Sequence, residues 1–359
     1  MNAVPTVEPI DALLLVSFGG PEKPDDVIPF LENVTVGRGV PRARLEQVAE
    51  HYLLFGGRSP INDLNRDLVG AIQKDFADHG IDVPVYWGNR NWDPFLRDAC
   101  RQMVDDGVRR AAYFVTSAYS SYSGCRQYRE NLSDATAGLG LELSRIRLYF
   151  NHPGFVTPFV EATSEALASS PPDTHVVFVT HSIPADMDAA SGGPGLSAYR
   201  RQHEEVARLV AEGAKGASGG TSRWRGTSTL AYCSRSGSPH QPWLEPDIND
   251  HLRQLAADGV SSVAVVPIGF VSDHMEVVFD LDTEAAQTAA ELGLSYVRVA
   301  TPGVHPAFIA MVRDLLLERA ALDRGESPVC AVVGRRGPNP HVCPADCCPN
   351  LRVPLPAVP

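Results

Sequence analysis

Short apolar runs rich in β-branched and aromatic residues alternate along the chain with longer stretches of helical period, the signature of an α/β protein. The runs at residues 12–18, 83–87, 111–117, 146–150, 175–180, 227–233, 262–268 and 296–300 are almost continuously apolar. Each precedes a turn containing Gly, Ser or Pro, as expected of parallel strands covered on both faces. Amphipathic helices are predicted over 42–55, 62–77, 95–105, 198–212 and 248–257, and Gly56-Gly57, Gly80, Gly107 and Gly259 sit where helix-ending glycines belong.

Eight strands exceed one small sheet, and Asn151-His152-Pro153-Gly154 divides them four and four. The expectation is two Rossmann-like, doubly wound α/β domains, each with a mainly four-stranded parallel sheet. The first covers 10–153 and is completed by a C-terminal helix at 305–322, and the second covers 154–304. Residues 326–359 lack any period and read as an appended tail rich in Gly, Pro, Arg and Cys. In such sheets ligands sit beyond the carboxyl ends of strands where the winding reverses. Those ends read Ser17-Phe18-Gly19-Gly20, Gly88-Asn89-Arg90-Asn91, Ser117-Ala118-Tyr119-Ser120, Thr180-His181-Ser182-Ile183-Pro184, Ser234-Arg235-Ser236 and Gly269-Phe270-Val271-Ser272-Asp273-His274.

Charge narrows the partners. With 31 basic against 43 acidic groups, a net charge of −12 and lysine only at Lys23, Lys74 and Lys215, the chain has no basic tract to release counterions from a phosphate backbone. Nucleic acid is not an expected partner. The first residues lack a basic signal-peptide region, and the apolar run 12–16 is far too short to span a bilayer, so no integral membrane segment and a cytoplasmic location are expected. Four of the seven cysteines, Cys330, Cys343, Cys347 and Cys348, crowd the tail. In a reducing compartment such a group reads as metal or iron–sulfur ligation before disulfides.

His181 stands at the mouth of a strand, where a neutral imidazole, kept uncharged at pH 7 by its apolar surroundings, can take a proton or bind a metal. Glu276, Asp280 and Glu284 recur every four residues on the helix after Gly269, a row that could pass a hard cation inward or form a solvated acidic face. Ser59-Pro60 opens a helix beside Arg58, suiting a carboxylate or an ordinary corner. The alternation Tyr119-Ser120-Ser121-Tyr122-Ser123 could line a flat ligand or be a plain loop. No dinucleotide fingerprint, P-loop or nucleophile elbow is present.

The stretches LLLVSFGGP (13–21), FGGRSPI (55–61), VTHSIP (179–184), PWLEPD (242–247) and PIGFVSDHMEVVFD (267–280) together resemble the ferrochelatase family, and within it the bacterial coproporphyrin ferrochelatases. The match runs across roughly residues 10–320. It implies insertion of Fe²⁺ into a porphyrin, with His181 as base and metal ligand, Glu276 as metal ligand and proton relay, and Asp280 and Glu284 as the route to solvent. It also implies that Tyr52, Ser59, and Tyr122 or the better-aligned Tyr128 lie near the macrocycle. Arg38 and Arg58 are electrostatic choices for its propionates. Phe18 departs from the many relatives with Tyr after strand one.

The cysteine-rich end is similar to those of relatives that bind a [2Fe–2S] cluster, with a fourth ligand corresponding to Cys125. Five thiols, at Cys125, Cys330, Cys343, Cys347 and Cys348, compete for four places. A zinc knot is the simpler alternative. The resemblance implies coproporphyrin III, giving coproheme for haem b and a transient contact with the next haem-pathway enzyme. Protoporphyrin IX or another tetrapyrrole is the alternative substrate, and a haem-binding or iron–sulfur sensing protein is the alternative of another class.

Overall fold

The computed structural model describes residues 6–216, 224–237 and 240–352, so the last seven residues of the expected tail lie outside the described residues. The chain forms two compact units. The first takes the chain up to Thr116, Tyr128–Ile146 and Val312–Val329; the second takes Ser117–Gln127, Arg147–Met311 and the chain from Cys330 onward. Relative to the expected boundaries, 117–127 and 147–153 fall in the second unit, and so does the tail from Cys330.

In the first unit, β1 (Ala12–Ser17) is followed by α1 (Val27–Val34), α2 (Arg42–Leu53), α3 (Ile61–Asp78), β2 (Val85–Asn89), α4 (Leu96–Asp105), β3 (Arg110–Val115), α5 (Gln127–Thr136) and β4 (Glu142–Arg145). The strands are all parallel in the order β2-β1-β3-β4. Every residue of β1 is buried, as a central strand with helices on both faces demands. Ala12, Leu14 and Val16 pack on one face with Leu96, Cys100 and Met103 of α4 and Leu132 of α5.

The expected fourth strand at 146–150 is corrected: the strand is Glu142–Arg145, paired with β3, and the apolar run after it is buried coil. Tyr149 and Phe150 are buried by aromatic packing, Tyr149 edge-on to Phe155 and Phe308 and Phe150 against Tyr119. An unbroken apolar run records burial and does not by itself distinguish a strand from packed coil.

The second unit repeats the plan with α6 (Pro153–Ala168), β5 (His175–His181), α7 (Ala185–Ala189), α8 (Ala198–Gly216), β6 (Ser228–Cys233), α9 (Ile248–Ala257), β7 (Ser262–Val266), α10 (Met275–Phe279), α11 (Ala286–Glu291) and β8 (Ser295–Arg298); α12 (Pro306–Asp323) starts in this unit and from Val312 onward belongs to the first. Its parallel sheet has the order β6-β5-β7-β8. Val177, Val179, Val263 and Val265 meet Leu252 and Leu255 of α9 and Val277 of α10 in one core. In both sheets the winding reverses beside the first strand, so the crevices that receive ligands open at the ends of β1 and β3 and of β5 and β7.

Candidate functional site

The crevice of the second unit holds the charged chemistry. His181 is the last residue of β5, and the chain leaving β7 turns through Gly269 and starts α10 with His274 as its N-cap, whose Nδ1 accepts from the Glu276 amide at 3.2 Å. Glu276 therefore sits in the first helical turn, aimed back at the strand ends. His181 Nε2 lies 3.7 Å from Glu276 Oε1, and His274 Nδ1 lies 4.0 Å from Oε2. The Nδ1–H of His181 donates to the Ser182 carbonyl, leaving Nε2 as the atom that gives and takes protons.

These side chains are 32% and 45% exposed, open enough to meet a ligand. Burial disfavours the imidazolium, yet the facing Glu276 carboxylate outweighs it and holds His181 above its ordinary value. This corrects the expectation of an imidazole kept neutral by an apolar strand end: the environment is apolar but carries a carboxylate. Glu276 is pushed down to about 2, the charge of His181 overcoming the penalty of burial. His274 is lowered, chiefly by burial.

The acidic row runs outward from this pair. Glu276 and Asp280 are half-buried and Glu284 is exposed. Residues Asp280–Ala285 form a π-helical turn between α10 and α11, a local widening of the kind that recurs at functional sites. Burial raises Asp280 to about 7, although the Ser234 hydroxyl donates to it and works the other way. Ser234, the residue after β6, has φ +62°, a left-handed backbone uncommon for serine. Ser234 and His274 are not among the expected site residues, although each stands in a strand-end turn that the sequence marks, Ser234-Arg235-Ser236 and Gly269–His274.

In the first unit the expected residues are separately employed. Tyr52, in the last turn of α2, packs edge-on to Phe30, which also touches Phe18 and Trp92. Ser59 is buried under the Gly19-Gly20 turn, where a Cβ on Gly20 would stand 2.7 Å from Ser59 Cβ. Gly57 has φ +71° and touches Pro24, so it takes no side chain there. Arg58 is exposed and ion-paired with Asp63 at 2.5 Å, and the same carboxylate takes Arg66 at 2.7 Å. Arg38 is exposed in the turn after α1. Tyr128 is buried and lies beneath the guanidinium of Arg90, 4.9 Å from its ring centre, while Arg90 also covers Phe18 at 5.5 Å. Arg90 is not among the residues expected at the site, although it stands in the strand end Gly88-Asn89-Arg90-Asn91.

The tail supplies a third group, within the second unit. The Cys347 and Cys348 sulfurs are 3.7 Å apart, and the Cys347 thiol is pushed up by its hydrogen bonds to Cys343 and then Cys348. The backbone amide of Gly192 donates to Cys348 Sγ at 3.2 Å. Cys125 is buried on the π-helical turn Tyr122–Arg126. That turn is tied to the same loop: Arg126 donates to the carbonyls of Ala345 and Cys347, and Asn350 donates to the Tyr122 hydroxyl at 2.9 Å. Cys330 instead has its sulfur 3.5 Å from His341 Nε2. Cys343, Cys347 and Cys348 thus share one loop, and the turn that carries Cys125 is bonded to that loop through Arg126 and Tyr122; thiolates are the ligand type that iron–sulfur clusters take.

Among the described residues, no helix is long and apolar enough to cross a membrane. A family model described as ferrochelatase matches residues 10–320. The coproporphyrin III ferrochelatase of Streptomyces griseus is 57% identical, covering 97% of this chain and 96% of its own length. That of Streptomyces coelicolor is 56% identical over 99% and 98%. Among solved structures, SirB from Bacillus subtilis with Fe³⁺ superposes with a TM-score of 0.53 at 12% identity, over 88% of this chain and 98% of that one, which shows a shared fold.

Proposed function

Because the chain belongs to the ferrochelatase family, we propose that it inserts Fe²⁺ into coproporphyrin III, yielding coproheme for haem b synthesis. The observation that carries the reading is the imidazole and carboxylate facing each other across 3.7 Å at a strand-end crevice. Insertion replaces two pyrrole protons by one Fe²⁺, so the site must present the metal and accept two protons. Glu276 holds the incoming metal. An arriving dication takes over as counter-charge to the carboxylate and repels the proton on Nε2, so His181 becomes a base when the metal is in place. The protons leave by way of Asp280, whose value near 7 lets it load and unload at neutral pH, and then Glu284.

Tyr52, Ser59 and Tyr122 are assigned to the macrocycle, and Arg38 and Arg90 to its carboxylates. Arg58, paired with Asp63, is a weaker choice, and Tyr128 acts through Arg90. For the tail, Cys125, Cys343, Cys347 and Cys348 are the ligands we assign to a [2Fe–2S] cluster, with Cys330 left out. A bound cluster would supply a redox-active crosslink; the chain contributes the thiolates and the Gly192 amide that bonds one of them. We place the enzyme in the cytoplasm, a reducing compartment in which clustered thiols serve as metal or cluster ligands.

The test is anaerobic incubation of the full chain with Fe²⁺ and either coproporphyrin III or protoporphyrin IX, following loss of the free-base spectrum. Preferential metallation of coproporphyrin is expected. Preference for protoporphyrin would overturn the substrate, and turnover of neither would favour a binding protein.

A further inference from the structure

Directly behind His181 lies a run of buried polar side chains that the reaction does not use. The Tyr199 hydroxyl on α8 stands 2.8 Å from the His181 carbonyl oxygen and 3.0 Å from Thr180 Oγ1. Thr180 Oγ1 is in turn 2.8 Å from His203 Nε2, and His203 Nδ1 is 2.8 Å from the Tyr199 carbonyl. A carbonyl only accepts, so Nδ1 carries the proton and donates. Nε2 then accepts from the Thr180 hydroxyl, which is left able only to accept from Tyr199. The donor directions are thereby fixed, with the Tyr199 proton shared between two acceptors, Thr180 Oγ1 and the His181 carbonyl at the strand end. Burial keeps His203 neutral, pushing it down to about 3, so this direction does not reverse at working pH.

The run also reaches the other strand end. The His203 ring stacks on Tyr119 with centroids 3.5 Å apart, and the Tyr119 hydroxyl donates to the Ile268 carbonyl at 2.8 Å, just before the turn that leads to Glu276. At that turn Gly269 lies on Thr180, where an added Cβ would come within 2.1 Å of Oγ1. Tyr119, Thr180, Tyr199 and His203 are all buried. A buried hydroxyl without a partner costs ~1–3 kcal/mol, so such a network is tolerated only when fully satisfied. Apolar side chains of the same shape would fill this space without that risk.

We propose that Tyr199 is a positioning residue for His181, braced by Thr180 and His203 and linked through Tyr119 to the strand end that launches Glu276, so that the network sets the spacing of the His181–Glu276 pair. The inference rests on the assignment of His181 to iron insertion. Removing the Tyr199 hydroxyl deprives the His181 carbonyl and Thr180 of their donor and lets the end of β5 shift against the end of β7. Reacting groups must be held to a few tenths of an ångström, so the loss falls on the chemical step and not on porphyrin binding.

The test is Tyr199→Phe in the full chain, read by kinetics and by the spectrum of ¹⁵N-histidine-labelled protein. A roughly tenfold fall in kcat is expected, with the porphyrin KM within about twofold. The His181 and His203 resonances should shift while those of His175 and His251, which share their own hydrogen-bonded group with Thr227 and Thr229, stay in place. An unmoved His181 signal, or an unchanged kcat, overturns the inference. If the variant does not fold, Thr180→Val takes its place and Thr180→Ser should restore the rate; a Thr180→Val protein with parental kcat also overturns it. Should the parental protein fail to metallate any porphyrin while Tyr199→Phe still moves the His181 signal, the functional reading fails and the positioning role stands.

Discussion

His181 and Glu276 hold each other in opposite charge states: the imidazole draws the carboxyl down to about 2, and the carboxylate lifts the imidazole above its usual value, against the burial both groups experience. Neither residue alone would have this character. If Glu276 holds the metal, as proposed, the dication supplies the counter-charge that the imidazolium now gives the carboxylate, so His181 can lose its proton without leaving Glu276 uncompensated.

Substituting Glu276→Gln should therefore lower the His181 value in the metal-free protein, since burial remains and its main opposing charge is gone. Histidine NMR titration reads this directly, and an unshifted His181 would refute the coupling. The same variant should lose iron insertion by ~10²–10⁴-fold, the usual worth of a positioned acid–base group, while still binding porphyrin. His181→Ala should behave alike. A carrier protein would instead show altered porphyrin affinity and no metallation step to lose.

Asp280 makes a prediction of opposite sign for stability. Its folded value is raised from 3.8 to about 7, so the folded chain keeps a proton that the unfolded chain releases. Stability then falls as pH rises from about 4 through 7, by linkage. Asp280→Asn removes this dependence. In metal-free protein the variant should gain little at pH 4 and most at pH 8, as seen in thermal midpoints; a gain independent of pH would show that Asp280 is not held protonated. Depletion of Fe²⁺ is needed for the comparison, because a bound dication favours the carboxylate.

The cysteines can be sorted by spectroscopy. Replacing Cys343, Cys347 or Cys125 by Ser should abolish the visible absorption of an anaerobically reconstituted cluster, whereas Cys330→Ser, whose thiol pairs with His341, should keep it. Retention of the spectrum in Cys125→Ser, or its loss in Cys330→Ser, would reverse the ligand assignment. A colourless protein holding stoichiometric zinc would replace the cluster by a zinc site.

The strands and the two ends of the site were legible in the chain because each rests on local chemistry. A buried parallel strand must be apolar throughout, and His181 and Glu276 lie directly after such runs. The fourth strand was misplaced because 146–150 is more apolar than Glu142–Arg145, which lies at the sheet edge, where fewer side chains are covered. The charge on His181 was also misjudged: its apolar strand is adjacent in sequence, but Glu276 arrives from 95 positions away, and only the fold brings the carboxylate within 3.7 Å. The Tyr199 network was invisible for the same reason, since its members come from the end of β5, two successive turns of α8 and the coil after β3.

Arg90 gives the last prediction. Its guanidinium lies over Phe18 and Tyr128, its Nε is buried without a hydrogen-bond partner, and no carboxylate pairs with it among the described residues. A half-buried cation without a counter-ion is costly for a fold to keep, unless an anion arrives to share the desolvation. The porphyrin carboxylates provide such anions, and a protein of net charge −12 has few other means to attract them. Arg90→Met should raise the porphyrin KM by about tenfold, the worth of one charge-assisted hydrogen bond, with kcat and the iron KM little changed. Fold stability should change little, because the relief of a half-buried charge is offset by the loss of its contacts to the two rings and of its hydrogen bond to Tyr128. If kcat falls and the porphyrin KM does not, Arg90 acts on the reacting centre and not on the carboxylates.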